Sequence, residues 1–423
     1  MASHHPSARF LRIFGATFVV LCLLVAGFNL AIDPYAIFNV PRIEGFNANK
    51  PTAGERVRVA KPYMVEAAGA KTIVGGNSRP EMGIDPMSHC WAQEDLPVFN
   101  IGIPGASLRL QTEYIRHAVI VTGATRVLLG IDFFDFLVSK RTLDRLDLDG
   151  PARGDALRLM HRAGSSDRLA TFLQRTRDRL SGLFSLEALI DSVTTLAAQG
   201  NPNVSTRRPD GFNPGQDYLS IIATEGQAVL FEQKNRELAS RLGGDNSVLH
   251  NFGQGSSEPL EALKRFIEWA KAAKVEVTLF INPYHVDYLS LIAASGKWHF
   301  FEQWKLDLAS IAAEQAVPLW DFNSIDSYST QGPPAAGNRQ DYLPWFWEPA
   351  HYRKELGDLM LATMDGANCE VPGASASLGA LLSKKAIEIH LEGLRRGMAD
   401  YRYTHAERYA DLSRLVSQTQ PAN

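Results

Sequence analysis

The sequence predicts an α/β fold: a mainly parallel sheet with helices on both faces, an inserted helical segment and one N-terminal transmembrane helix. Five short apolar runs are typical of buried parallel strands, helical patterns lie between them, and twenty uncharged residues stand near the N-terminus. The chain has 423 residues, of which 45% are hydrophobic and 21% charged, so it can build a large core. Its net charge of -3 argues against a nucleic-acid partner.

Residues 13–32 (IFGATFVVLCLLVAGFNLAI) are long and apolar enough to cross a bilayer as a helix. Arg9 and Arg12 precede this run and Asp33 follows it, which favours a cytoplasmic N-terminus and a body on the other side. A cleaved signal peptide is the alternative, but the run exceeds a usual signal core and no clean A-x-A site follows. We therefore expect residues 1–33 to form a cytoplasmic stub and a single-pass anchor in the inner (cytoplasmic) membrane, with a periplasmic or otherwise extracytoplasmic body.

Residues 34–69 are expected to form a juxtamembrane linker with one helix at about 53–68, followed by the α/β domain at 70–366. Short apolar runs predict strands in this domain, because parallel strands buried on both faces lack polar alternation. The clearest helical pattern is 259–274, which Ser257 can cap. The other predicted elements are strands at 71–74, 97–101, 126–131, 275–281 and 317–322, and a helix at 301–315.

Residues 137–220 interrupt this alternation, since helical patterns are followed by a loop rich in Pro, Gly and Asn at 200–217. We expect a helical insertion that covers the site. Residues 378–418 are charged and helical in pattern, so 367–423 is expected to form a C-terminal helical appendage. Ligands bind at the carboxyl ends of the strands in such sheets, and the residues considered next follow those ends.

A serine follows the first predicted strand in the sequence GGNSR at 75–79. A serine at the start of a helix is exposed at the sheet edge, where helix N-terminal amides can stabilise an oxyanion. Capping of the helix is the alternative role for Ser78. The second strand leads into NIGIPGAS at 100–107, whose glycines let the backbone approach a ligand; a tight turn without function is the alternative there.

A carboxylate and a histidine stand three residues apart in WEPAHY at 347–352. Glu348 can orient the ring of His351 and stabilise its positive charge while the ring takes a proton from a serine. A surface or capping histidine is the alternative. The pair offers too few ligands for a metal ion, and H-x-x-x-H spacing is absent from the sequence.

These three blocks, in this order, resemble the SGNH (GDSL-like) hydrolase superfamily over about residues 70–365. The resemblance is closest to membrane-anchored extracytoplasmic members that modify cell-surface polymers, such as the alginate O-acetylation proteins and the D-alanyl-transfer protein of teichoic acids. It implies a three-layer α/β/α domain in which Ser78 is the nucleophile, His351 the general base and Glu348 its partner. It also implies an oxyanion hole that includes the backbone N–H groups of Ser78 and Gly105.

Two positions depart from the superfamily pattern. The acid before the histidine is usually Asp, but the longer side chain of Glu348 can still reach a ring nitrogen. The usual Asn after the third strand is replaced by Asp132, which cannot donate a hydrogen bond unless protonated and is expected to have a structural role or to bind a substrate hydroxyl. Asn282, after the fourth strand, is a candidate for the missing oxyanion donor, with a turn-forming Asn-Pro pair as the alternative.

Other side chains near the strand ends are candidates for substrate binding. Arg79 suits an acidic sugar or a carboxylate, or else pairs with Glu81 or Asp85. Trp347 belongs to an aromatic cluster that suits sugar rings, with packing of a long loop as the alternative. The remaining candidates are Tyr284 and His285.

The three cysteines indicate little metal or redox chemistry. Cys22 lies inside the apolar run, whereas Cys90 and Cys369 could pair in an oxidising compartment, with two buried free thiols as the alternative. No C-x-x-C is present, and we expect neither a metal nor a cofactor.

The resemblance and the anchor together predict a membrane-anchored extracytoplasmic serine acyltransferase or esterase. It would act through an acyl-Ser78 intermediate on acyl groups, O-acetyl above all, of a cell-surface polysaccharide. The expected partners are that polysaccharide, a membrane-bound acyl-donor protein and, through residues 13–32, the lipid bilayer. The alternative is a catalytically inactive SGNH-like protein that binds polysaccharide or acts as a scaffold in the cell envelope. The distance between Ser78 and His351 discriminates between the two.

Overall fold

The computed structural model describes residues 6–139, 153–160, 167–243, 247–249, 257–366, 369–374 and 378–419. Within them the fold is α/β. The strands are β1 (Thr72–Gly75), β2 (Val98–Asn100), β3 (Arg126–Ile131), β4 (Leu137–Ser139), β5 (Ser247–Leu249), β6 (Glu276–Ile281), β7 (Leu319–Asp321), β8 (Phe346–Glu348), β9 (His351–Tyr352) and β10 (Ala380–Leu381). Six of them form one sheet in the order β10-β7-β6-β3-β1-β2, parallel except for β10; β4 pairs with β5, and β8 with β9.

Helices precede, separate and follow these strands. They are α1 (Pro6–Ile32), α2 (Pro51–Glu55), α3 (Val57–Met64), α4 (Ser78–Gly83), α5 (Leu108–Thr122), α6 (Arg153–Arg158), α7 (Arg168–Phe184), α8 (Leu186–Ala197), α9 (Gln216–Glu225), α10 (Gln227–Leu242), α11 (Glu258–Ala272), α12 (Val286–Ala294), α13 (Trp298–Glu314), α14 (Lys354–Asp365), α15 (Ile387–Thr404) and α16 (Ala406–Thr419).

Both faces of the main sheet are covered by buried apolar side chains. In β3, Val127, Leu129 and Ile131 join one cluster, whereas Leu128 joins another. Successive side chains of a strand point to opposite faces, so burial on both sides explains why the strand sequence is apolar without alternation. The five strands predicted from such runs are all present, which confirms the α/β prediction.

The parallel register brings the ends of neighbouring strands together. Val74 of β1 pairs with Leu128 of β3, and Leu128 pairs with Thr278 of β6. The turns that follow β1, β2 and β3 therefore meet at one edge of the sheet. This edge carries the serine block and the glycine-rich block predicted from the sequence.

Two helix predictions had different outcomes. The helix predicted at 259–274 is observed as α11, and its cap is confirmed because Ser257 Oγ accepts a hydrogen bond from the N–H of Leu260 at 3.5 Å. The single helix predicted at 53–68 is wrong. The backbone of Arg56 leaves helical geometry (φ -106°, ψ 41°) between α2 and α3, and a short 3₁₀ turn follows α3.

Helix α1 could span a membrane, since residues 8–32 are apolar and mostly exposed. Two helices of the segment predicted as an insertion, α7 and α8, pack against it. The predicted C-terminal appendage is in contact with the domain: β10 pairs with β7 at the sheet edge, and Leu391 and Leu412 of α15 and α16 lie in the core.

Candidate active site

A tight turn after β1 places Ser78 at the first position of α4. Gly76 has a φ of +135°, and a Cβ at that position would lie 2.8 Å from the carbonyl oxygen of Gly130. Only glycine fits such a backbone without strain. The N-cap of α4 is Asn77, whose side chain accepts a hydrogen bond from the N–H of Arg79 at 3.0 Å. Ser78 is therefore not the N-cap residue, and its hydroxyl is available for another partner.

The hydroxyl of Ser78 contacts the imidazole of His351. The distance from Ser78 Oγ to His351 Nε2 is 2.7 Å, although the two residues are 273 positions apart in the chain. His351 lies in the small hairpin of β8 and β9, in which it is the direct cross-strand partner of Glu348. Residues paired in this way have neighbouring side chains on one face, which explains why an acid-x-x-His sequence forms a contact here.

Glu348 is buried and fixes the state of the histidine. Its Oε1 accepts a hydrogen bond from Nδ1 of His351, and its Oε2 accepts one from the N–H of Ala350 at 2.6 Å. Burial would raise the pKa of Glu348, but the charge and hydrogen bond of His351 outweigh it and lower the pKa to about 2. Since an ionised carboxylate only accepts, Nδ1 carries the proton and Nε2 is left to accept the hydroxyl proton of Ser78.

The serine and histidine open onto a cleft of about 390 Å³. Gly105 also lines this cleft, with a φ of +63° and open space where a Cβ would stand. Ser78 and Gly105 are thus on the same cavity, as an oxyanion hole built from their backbone N–H groups requires. That role of the two amides stays a prediction.

The floor of the cleft holds a buried ion pair. Arg79 pairs with Asp132, and not with Glu81 or Asp85. Asp132 also accepts a hydrogen bond from the N–H of Phe134 at 2.9 Å. Asp132 therefore has the structural role that was one of its two expected roles. Its carboxylate also borders the cleft.

A second carboxylate, that of Asp135, lines the cleft beside Asp132. Burial and the charge of Asp132 raise the pKa of Asp135 well above its usual range. Its Oδ2 accepts a hydrogen bond from Nε2 of Gln111 at 2.9 Å. Asp132 and Asp135 thus offer hydrogen-bond acceptors to a ligand hydroxyl in the cleft.

Four of the residues predicted to bind the oxyanion or the substrate do not line the cleft. The prediction of Asn282 as an oxyanion donor is wrong, because its Nδ2 donates to the carbonyl of Ile131 at 3.0 Å and its side chain is fully buried. Tyr284 is buried behind the cleft floor, where its hydroxyl donates to Asp132 at 3.1 Å. Tyr284 therefore contacts Asp132 and does not line the cleft, so its placement does not favour the predicted substrate binding.

His285 and Trp347 are likewise placed by packing. His285 is buried, contacts the carbonyl of Gln331 through Nε2 at 2.8 Å and accepts a hydrogen bond from the N–H of Asp287, so neither nitrogen is directed at the cleft. Trp347 is 5% exposed and packs on Tyr218, which supports the loop-packing alternative. Neither residue lines the cleft, so direct substrate binding by either stays a prediction that this placement does not favour.

One wall of the cleft consists of residues that the sequence analysis missed. Helix α10 presents Lys234, Glu237, Leu238 and Arg241 to the cavity. Their spacing of i, i+3, i+4 and i+7 marks one face of a helix and was the available signal. Tyr218 of α9 was also missed; its hydroxyl lies 3.4 Å from Oε1 of Glu348.

The structure joins Cys90 and Cys369 in a disulfide, the pairing considered in the sequence, with Cα atoms 5.3 Å apart. His89 lies near both sulfur atoms. Sulfurs bonded to one another are not thiolate ligands, so this group does not form a metal site. Cys22 is a free cysteine on α1.

Comparison with known proteins leaves the family undetermined. No protein-family model, no curated protein and no solved structure matches the chain.

Proposed function

We propose that this protein is a membrane-anchored serine acyltransferase or esterase of the SGNH type, acting through an acyl-Ser78 intermediate. The observation that carries the proposal is the continuous hydrogen-bonded series from Ser78 Oγ through His351 to Glu348. Nucleophile, base and orienting acid in this arrangement are sufficient to activate a hydroxyl for acyl transfer. The short distance between Ser78 and His351 also favours catalysis over the binding or scaffold alternative.

In the first half-reaction, Ser78 Oγ attacks the carbonyl carbon of an acyl donor while Nε2 of His351 takes the hydroxyl proton. Glu348 stabilises the imidazolium that results. The developing oxyanion would be held by the N–H groups of Ser78 and Gly105. When the tetrahedral intermediate collapses, the bond to the leaving alcohol breaks, and the proton on His351 moves to the departing oxygen. The product is an ester of Ser78.

In the second half-reaction, a hydroxyl group enters the cleft and gives its proton to Nε2 of His351 as its oxygen attacks the acyl carbon. The Ser78 Oγ–acyl bond then breaks, and the proton on His351 returns to Oγ. Water as the acceptor makes the protein an esterase, whereas a sugar hydroxyl makes it a transferase. The carboxylates and the cations of α10 suit a hydroxyl-rich acceptor, because they can both accept and donate hydrogen bonds.

The polymer substrate follows from the resemblance and from the anchor. A catalytic domain on a membrane-spanning helix can receive acyl groups from a membrane-bound donor protein and pass them to a polysaccharide on the same side. The acyl group is proposed to be acetyl, since membrane-anchored members of this superfamily acetylate such polymers. An inner-membrane position with an extracytoplasmic body belongs to the same proposal.

The test uses the purified full-length protein and its Ser78→Ala variant with a chromogenic acetyl ester. The reaction is quenched early and digested for mass spectrometry. We expect the wild type to release the chromophore and to carry an acetyl group on the peptide that contains Ser78. Ser78→Ala should lose both signals, since it removes the hydroxyl that contacts Nε2 of His351.

Ser417→Ala is the matched control, because Ser417 is exposed on α16, where its hydroxyl donates to the carbonyl of Ser413 at 3.1 Å. It should retain full turnover. Equal turnover by the wild type and Ser78→Ala would exclude the proposed nucleophile and leave the binding or scaffold alternative.

A further inference from the structure

Helices α7 and α8 present large apolar side chains to the outside of the molecule. On α7, Leu169, Phe172 and Leu173 are between 56% and 68% exposed. On α8, Leu186 and Ile190 are 71% and 58% exposed. The remaining members of this exposed set are Leu180, Phe184, Val193 and Leu196. We call the nine residues the outer apolar face.

The inner faces of the same two helices are small or polar. Ala188, Ser192 and Thr195 of α8 are buried, as are Thr171, Arg175 and Gly182 of α7. In a water-soluble protein the large apolar side chains of a surface helix face the core and the polar ones face solvent. The reverse order, with small or polar residues inside and large apolar ones outside, is typical of helices in contact with lipid.

Hydrogen bonds attach these helices to the end of α1. Asn29 of α1 donates through Nδ2 to the carbonyl of Leu183, at the end of α7, at 2.9 Å. Ser192 of α8 donates to Oδ1 of the same asparagine at 2.9 Å. Asn29 and Ser192 are both fully buried, so the corner between α7 and α8 is held against the last turns of α1.

The contact reaches into the segment of α1 that could cross the membrane. Cys22, Val25, Ala26 and Phe28 are covered or partly covered, whereas their neighbours on other sides of α1 are exposed. From position 22 to position 29 a helix rises about 10 Å. If residues 8–32 cross a bilayer, part of α7 and α8 must therefore lie at membrane depth, on the side where the folded body begins.

Charged residues flank the apolar face of α7. With a rotation of roughly 100° per residue, Arg177 and Arg179 lie roughly 80° to either side of the centre of that face. Both arginines are exposed. Such side chains extend along apolar surface and place the guanidinium among lipid phosphates, which is the pattern of a helix lying in the membrane interface.

We propose that α7 and α8 form a second membrane contact, embedded by the outer apolar face in the bilayer leaflet next to the folded body. The occupant of this face is the lipid bilayer, because the face is continuous with α1 and is bordered by arginines. The two helices meet at 62°, which suits a wedge in one leaflet. Because Arg207, which follows this segment, pairs with Glu81 on α4, the wedge would fix the height and orientation of the cleft above the membrane.

This inference rests on α1 being a membrane helix, but not on the proposed catalysis. Its test uses spin labels on single cysteines in the full-length protein, in a Cys22→Ser background with the native disulfide intact. The protein is reconstituted in nanodiscs of phosphatidylethanolamine and phosphatidylglycerol. Test labels replace Phe172 and Ile190; Val20 of α1 is the lipid control, and Ile389, which is 74% exposed on α15, is the water control.

Power saturation compares collisions of each label with oxygen, which concentrates in lipid, and with a water-soluble nickel chelate. We expect labels at 172 and 190 to follow the label at 20, with a several-fold higher ratio of oxygen to nickel accessibility than the label at 389. If the labels at 172 and 190 have the low ratio of the label at 389 while the label at 20 is in lipid, α1 is a membrane helix but the membrane contact of α7 and α8 is excluded. Shielding from both reagents would indicate a protein partner and also overturn the proposal. A water-accessible label at 20 would remove the anchor itself, and the inference with it.

Discussion

The hydroxyl of Tyr218 and Nδ1 of His351 are both directed at Oε1 of Glu348. Lys234 places its Nζ 3.9 Å from the same oxygen. The acid of the proposed triad is therefore surrounded by donors from α9, from α10 and from its own hairpin. This arrangement suits an ionised carboxylate and tolerates a neutral side chain poorly.

The first prediction concerns Glu348→Gln. An amide must direct an N–H group either at the N–H of Ala350 or at Nδ1 of His351. Directing it at Nδ1 would force that nitrogen to accept, and the proton would move to Nε2, which could then no longer take the proton of Ser78. We expect turnover of the chromogenic ester to fall by about 10²–10⁴-fold.

Glu348→Asp is the matched variant, since it keeps the charge with a shorter side chain. Its turnover should lie between those of wild type and Glu348→Gln. Equal turnover by wild type and Glu348→Gln would show that this carboxylate does not orient the base.

The second prediction concerns the pH dependence of stability. The pKa of Glu348 is about 2 in the folded protein, below its ordinary value of 4.5. A carboxyl group with a lowered folded-state pKa stabilises the fold above its unfolded-state pKa, and this contribution is lost as the pH falls through the folded-state pKa.

Chemical unfolding of wild type and Glu348→Gln, measured from neutral pH towards pH about 2, would test this linkage. We expect the difference in unfolding free energy to be constant above pH about 5 and to shrink below it. Other carboxyl groups titrate in both proteins and cancel in the comparison. A difference that stays unchanged down to the lowest pH would contradict the lowered pKa.

The sequence predicted the parts of the site that depend on local pattern. Apolar runs located the strands, and the order of the strands brought the block of Ser78 and the block of Gly105 to one edge of the sheet. The spacing of Glu348 and His351 was sufficient to predict their contact, because a short hairpin makes them cross-strand partners. The predicted catalytic trio thus depends mostly on local sequence patterns and on few long-range contacts.

The sequence could not predict which side chains near the strand ends reach the cleft. Asn282 and Tyr284 follow β6 at the correct edge, but long-range hydrogen bonds to Ile131 and Asp132 hold them behind the cleft floor. Those bonds join residues about 150 positions apart, so no local pattern reports them. The wall of α10 was missed for a similar reason. Its apolar and charged faces are those of any surface helix, and only the position of the neighbouring sheet edge shows that one face borders the cleft.

The third prediction concerns Glu81, which connects the nucleophile helix to its surroundings. Its carboxylate is buried and pairs with Lys61 Nζ at 2.9 Å and Arg207 Nε at 2.8 Å. Lys61 also donates to the carbonyl of Gly102 at 2.6 Å, in the glycine-rich block. Glu81→Gln would leave two buried cations without a compensating charge, which costs about 3–5 kcal/mol.

Thermal and chemical unfolding of the Glu81→Gln variant would show this loss. Glu392→Gln is the matched control, because Glu392 pairs with Arg395 at an exposed position on α15, where an ion pair contributes little. A Glu81→Gln variant as stable as this control would show that the cluster does not stabilise the fold.

The fourth prediction concerns the disulfide between Cys90 and Cys369, which closes a loop over a sequence separation of 279 residues. Constraining so long a loop in the unfolded chain stabilises the fold by roughly 2–4 kcal/mol, and such a bond persists only in an oxidising compartment.

Alkylation of the unreduced, denatured protein, followed by peptide mass mapping, should label only Cys22 and recover the linked pair. Cys369→Ser should lower the melting temperature, while Cys22→Ser should not. Free thiols at 90 and 369 in protein isolated from its native membrane would argue against an extracytoplasmic body.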